Sequence, residues 1–104
     1  MIDCRDPLGR RIKMTREQWE SHVLVRHPQM DGQESFVQQT LEAPDSIHED
    51  KRLYRRECYY RLGIPGATNR YLKVVVQFDT DDEGTVITAF TTRSTSPGER
   101  HRWP

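Results

Sequence analysis

The stretch Tyr71-Leu72-Lys73-Val74-Val75-Val76-Gln77-Phe78 constrains this chain more than any other. Leu72, Val74, Val76 and Phe78 recur at every second position, so they share one face of an extended strand, while Tyr71, Lys73, Val75 and Gln77 take the other. A strand with one aliphatic face needs a neighbour beside it and a layer over it. The neighbour follows directly: Thr85 to Thr92 is rich in β-branched residues. Asp79 to Gly84, with Asp79, Asp81, Asp82 and Glu83, reads as the acidic hairpin loop between them. Upstream, Leu53 to Leu62 also has period two, with Cys58, Tyr60 and Leu62 on one face and Arg55, Glu57, Tyr59 and Arg61 on the other. Gly63 to Asn69, holding Pro65 and Gly66, reads as a turn or loop. Three strands joined by short loops predict an antiparallel meander.

The first half reads differently. Asp6-Pro7-Leu8-Gly9 is a turn, and Arg10 to Met14 a short strand. Thr15-Arg16-Glu17-Gln18 has the spacing of a capping box. Trp19 and Val23 then lie four apart on one helical face, with His22 and Arg26 beside them. Pro28 predicts that this helix ends near His27. A second helix is predicted over Gln33 to Glu42, with Phe36, Val37, Thr40 and Leu41 as its apolar stripe. Ala43-Pro44-Asp45 ends it, and Ser46-Ile47-His48 begins an extended segment. The expectation is one α+β domain over residues 1–104, with N-terminal helices packed on one face of an antiparallel sheet. Leu72, Val74, Val76 and Phe78 then meet Trp19, Val23, Phe36 and Leu41. The polar face carries Arg55, Glu57, Tyr59, Arg61, Tyr71 and Lys73. The last strand adds either Thr88, Phe90 and Thr92 or, in the other register, Thr91 and Arg93; Thr88 outward is preferred, because Ile87 and Ala89 then face the helices.

Composition narrows the class. Apolar residues make up 34% and charged residues 31%, lean but sufficient for a core in a chain of this length. No window approaches the ~18 apolar residues of a membrane span, and no signal-peptide pattern opens the chain. Cys4 and Cys58 have no CxxC spacing and read as two buried or free thiols of a reducing, cytoplasmic compartment. The net charge of zero conceals a block of +6 over residues 51–76. Such a block is either a solvated face with local ion pairs or a seat for a phosphate backbone.

No GxxxxGK[ST] loop, HExxH, GxSxG or zinc-type cysteine spacing is present. His22 and His27, five apart, fall on different sides of a helix and make a poor metal pair. No cofactor or metal is therefore expected. What remains is a set of His, Lys, Arg, Glu, Tyr and Thr around one sheet face, which suits RNA cleavage by transesterification. A base takes the 2′-OH proton, a cation stabilises the added negative charge, and an acid protonates the leaving 5′ oxygen. His27 or His22 serves as acid or base. Glu57 is either a second candidate base or a cross-strand ion-pair partner of Arg61 or Lys73. Arg61 and Lys73 would hold the scissile phosphate. Tyr59, Tyr60 or Tyr71 either stacks on a base or fills the sheet. Arg55, Arg56 and Arg93 would add to RNA binding.

Met14-Thr15-Arg16-Glu17-Gln18-Trp19 followed by Ser21-His22-Val23-Leu24-Val25-Arg26-His27-Pro28 resembles the opening of small phage and bacterial proteins of the barnase–EndoU–colicin–RelE-like nuclease superfamily. Tyr59-Tyr60-Arg61, Tyr71 to Val76 and Val86 to Phe90 look like that group's strands, and Gly98-Glu99 to Trp103-Pro104 like its end. The resemblance spans roughly residues 12–104. It implies a metal-independent, toxin-like endoribonuclease with its site on the open sheet face. His27, Arg61, Lys73 and Thr88 are the matched polar residues, with His22 beside them. It also implies RNA as substrate, such as tRNA or ribosome-bound mRNA, and a cognate antitoxin or immunity protein as partner. A non-catalytic RNA- or protein-binding module is the alternative.

Overall fold

The computed structural model describes residues 1–104. Its α+β fold is organised by one seven-stranded sheet in the order β1-β2-β6-β5-β4-β3-β7. The strands are β1 Ile2–Arg5, β2 Arg11–Met14, β3 Ser46–Glu49, β4 Arg56–Ile64, β5 Ala67–Phe78, β6 Glu83–Thr92 and β7 Arg100–Trp103. The meander β4-β5-β6 is antiparallel as expected. The sheet as a whole is mixed, because β2 runs parallel to β6 through Arg11↔Glu83, Ile12↔Gly84 and Lys13↔Thr85. Strands also precede the helices, and β7, paired with β3, closes the fold in place of β6.

The capping box forms: Gln18 N–H donates to Thr15 Oγ1 (3.1 Å) and Thr15 N–H to Gln18 Oε1 (3.0 Å). The short α1, Arg16–Gln18, continues as a π-helical segment Trp19–Leu24. A 3-10 turn, Pro28–Met30, follows, so His27-Pro28 breaks the helix. Helix α2 spans Glu34–Glu42. These segments cover one sheet face. Trp19, Val23, Val37 and Leu41 are fully buried with Leu72, Val74, Val76 and Phe78, and Phe36 packs against them half-buried. No helix is long and apolar enough to cross a membrane.

The facing of β4 is opposite to the expectation. Tyr59 stands opposite Val74, Glu57 opposite Val76 and Arg61 opposite Leu72, so these three share the helix-covered face. Cys58 and Tyr60, opposite Val75 and Lys73, lie on the open face. β5 starts at Ala67, leaving Pro65-Gly66 as the turn. A two-residue turn preserves parity, which sets odd residues of β4 opposite even residues of β5. In β6 a bulge between Val75 and Val76 of the partner strand places Thr88 opposite Val75 and Val86 opposite Val76. Thr88 is on the open face as expected and Ala89 in the core. Ile87, expected toward the helices, instead packs beside Cys58, Tyr60 and Val75. Cys4 and Cys58 are both buried free thiols, in separate clusters on opposite sides of the sheet.

Candidate active site on the open sheet face

On the open face β5, β4, β3 and the segment before β7 converge on one polar cluster. Lys73 is buried beneath it; its Nζ donates to Glu99 Oε2 (3.0 Å) and Ser96 Oγ (2.8 Å). The other carboxylate oxygen, Glu99 Oε1, accepts from Tyr60 OH (2.7 Å) and lies 3.5 Å from His48 Nδ1. The Tyr60 hydroxyl in turn accepts from the Ser96 backbone N–H (3.2 Å). The His48 ring packs against Tyr60 at 5.0 Å and His101 at 5.3 Å between centroids. Phe90 and Tyr71 wall the cluster; the Lys73 ammonium lies 5.7 Å from the Phe90 centroid.

The charges follow from this geometry. Burial alone would raise the Glu99 carboxyl, but hydrogen bonds from Tyr60 and Lys73 outweigh it and hold the group below the usual carboxylate range. Burial would likewise lower Lys73, yet Tyr60 and Glu99 keep it above its ordinary value. The result is an ammonium–carboxylate pair fixed at the floor of the site. His48 is shifted the other way. Burial lowers it, Glu99 opposes that shift, and His101 adds to it. It is therefore a neutral imidazole at pH 7, with Nδ1 turned toward a carboxylate and Nε2 left for another partner.

Asp50, Cys58 and Glu99 place ligand atoms within 4.8 Å of one another. The donor set does not suit a metal. Glu99 is engaged by Lys73 and Tyr60, and the Asp50 carboxylate accepts from the backbone N–H groups of Arg52 and Leu53. Burial pushes the Cys58 thiol up to about 12, so a metal would also have to displace its proton.

Of the residues singled out in the sequence, Lys73 and Tyr60 lie in this cluster, Tyr60 buried with its hydroxyl on Glu99, and Tyr71 and Thr88 beside it. The Thr88 hydroxyl is buried without a hydrogen-bond partner. His27 stacks on Phe90 at 5.1 Å, at the rim of the same face. The others lie elsewhere. Glu57 is buried in a bidentate pair with Arg10 (2.7 and 2.8 Å) and is not a free base; Tyr59 donates to Asp6 in the same network. Arg61 Nη1 donates to the Ala43 carbonyl (3.2 Å) at the C-terminus of α2. Arg55 pairs with Asp81 (3.1 Å), and Arg56 donates to Gln77 Oε1 (3.1 Å). His22 and Arg93 are exposed.

His48, Glu99, Ser96 and His101 were not anticipated. His48 had a signal: Ile47 is the apolar residue of a short extended segment, so its neighbour faces the opposite way. Glu99 and His101 had none, since the β3–β7 pairing that delivers them joins segments half the chain apart.

No family model, curated protein or solved structure matches this chain.

Proposed function

We propose that the chain is an endoribonuclease that cleaves RNA by attack of a 2′-OH on the adjacent phosphate. The observation that carries this reading is the Glu99 carboxylate, which lies 3.5 Å from the His48 imidazole on one oxygen and 3.0 Å from the Lys73 ammonium on the other. His48 Nε2 takes the 2′-OH proton, and the 2′ oxygen bonds to phosphorus. The P–O5′ bond breaks and the 5′ oxygen receives a proton, a role we give to the second imidazole, His101, whose ring lies 5.3 Å from that of His48. Lys73, held by Glu99 and Ser96, offsets the negative charge that builds on the phosphoryl oxygens. The products are a 2′,3′-cyclic phosphate and a 5′-hydroxyl. The resemblance to the barnase–EndoU–colicin–RelE-like superfamily supports the same chemistry, with Lys73 common to both arguments. A toxin-like role with a cognate inhibitor belongs to this reading.

The test is incubation with total RNA in EDTA, followed by end-group analysis. Wild type is expected to leave 2′,3′-cyclic ends. His48→Ala should lower the rate by about 10²–10⁴-fold, with partial rescue by added imidazole, which a purely structural role would not give. RNA binding without turnover would replace this reading with the non-catalytic one. Cleavage undiminished in both His48→Ala and Lys73→Ala would remove the site.

A further inference from the structure

A second feature lies at the end of the sheet, on the far side of Asp50 from the Lys73 cluster. The loop 50–55 and β7 border an open cleft of about 510 Å³. Four of its cations are already matched. Arg10 and Arg102 are held by Glu57, Arg55 by Asp81, and Arg100 by Glu49. Three are not. Lys51 and Arg52 have no carboxylate within ion-pair distance, and Arg56 meets only the neutral Gln77 amide. Asp50, the nearest carboxylate in sequence, is occupied by backbone N–H groups. The Lys51 stem runs past Gly98 so closely that an added Cβ there would come within 3.2 Å of Lys51 Cδ. At the lip stands Tyr54, 82% exposed, with the Arg55 guanidinium 5.4 Å from its ring centroid.

An exposed aromatic ring beside uncompensated cations is what a flexible polyanion with stacking bases requires. The cations follow the phosphates, and the ring takes a base in a sequence-tolerant way. A folded acidic protein would use the cations but leave the ring idle. The cleft also adjoins the candidate active site at one edge. Gly98, which lines it, precedes Glu99, and the Asp50 carboxylate lies within 4.8 Å of the Glu99 carboxylate. We infer that this cleft binds a single-stranded RNA segment flanking the cleaved bond, with Tyr54 stacking a base and Lys51, Arg52 and Arg56 contacting phosphates. The assignment rests on the ribonuclease reading for its choice of RNA, and binding can be measured without cleavage.

The probe is a fluorescent 2′-O-methyl oligouridine, which lacks the attacking hydroxyl and so reports binding alone. Its affinity is measured by anisotropy over a salt series. Lys51→Ala/Arg52→Ala should make the slope of log K against log salt shallower by about 1.4, close to 0.7 for each cation removed. Tyr54→Ala should weaken binding by about 5- to 100-fold with the slope unchanged, and Tyr54→Phe should restore it. All three positions are exposed, so the variants keep the fold. An unchanged slope in the double variant overturns the assignment. So does an acidic peptide that binds as tightly as the oligonucleotide and is indifferent to Tyr54. If binding behaves as described but no RNA is ever cleaved, the ribonuclease reading alone falls. If cleavage of a dinucleotide stands and the slope does not move, the cleft alone falls.

Discussion

Arg10 shows how a single side chain can hold one end of this sheet. It donates to Asp6 (2.9 Å), to both Glu57 oxygens and to the Tyr59 hydroxyl (3.1 Å), while its guanidinium lies 4.1 Å from the Phe78 ring centroid. Asp6 and Glu57 are both buried, and without the cation Asp6 keeps only hydrogen bonds from Tyr59 and backbone N–H groups while Glu57 keeps only Arg102. Arg10→Ala should cost about 3–5 kcal/mol, read as a lower urea midpoint. The histidines allow a different test. His48 is kept neutral by burial, with a contribution from His101. His101→Ala removes that contribution and lets His48 protonate more readily, so the acid limb of the residual rate profile should move to higher pH. A profile that moves down or stays put would show that His101 does not act on His48.

At the scale of elements, β6 is held by a glycine on one side and a bulge on the other. A Cβ at Gly84 would meet Val76 Cγ1 at 2.7 Å and Phe78 Cδ1 at 3.0 Å. Gly84 also pairs with Ile12 in the parallel contact, so the sheet cannot open there without moving the N-terminal hairpin. Gly84→Ala is expected to lower stability by about 1–3 kcal/mol, measured by chemical denaturation. The same elements explain what could be read in advance. β5 and β6 were legible because their alternation is long and their branched residues dense. The core partners Trp19, Val23 and Leu41 followed from helical spacing. The facing of β4 was not legible from its own residues, since Tyr59 and Tyr60 are both fully buried on opposite faces. The information lay in the length of the Pro65-Gly66 turn, whose parity sets the register. β1 and β7, four residues each, carry too short a pattern, and β7 owes its existence to a distant partner, β3. The site was legible in Lys73 and hidden in Glu99 for that reason.

For the molecule as a whole, the titrating groups define a window of stability. His48 and Glu99 are both held below their ordinary values. Each binds protons more readily unfolded than folded, so stability drops as pH falls below about 6.5 and again below about 4.5. On the alkaline side burial raises Cys4 to about 11 and Cys58 to about 12, and raises Tyr59 and Tyr60. These groups ionise first in the unfolded chain, so stability declines above about pH 8.5. The urea midpoint should therefore be flat between about pH 6.5 and 8.5 and fall on both sides. The isoelectric point, near 6.9, lies inside that window. Light scattering should find the protein least soluble where it is most stable.

The parallel contact between β2 and β6 has a consequence in time. A ribosome delivers Arg11–Met14 long before Glu83–Thr85, and Ser46–Glu49 long before Arg100–Trp103. Until those late partners emerge, the N-terminal hairpin has no sheet to join and His48 has no Glu99 beside it. The nascent chain thus stays without its complete polar cluster until Glu99 and His101 emerge. The cell that makes this protein meets the assembled site only after Arg100–Trp103 has reached Ser46–Glu49.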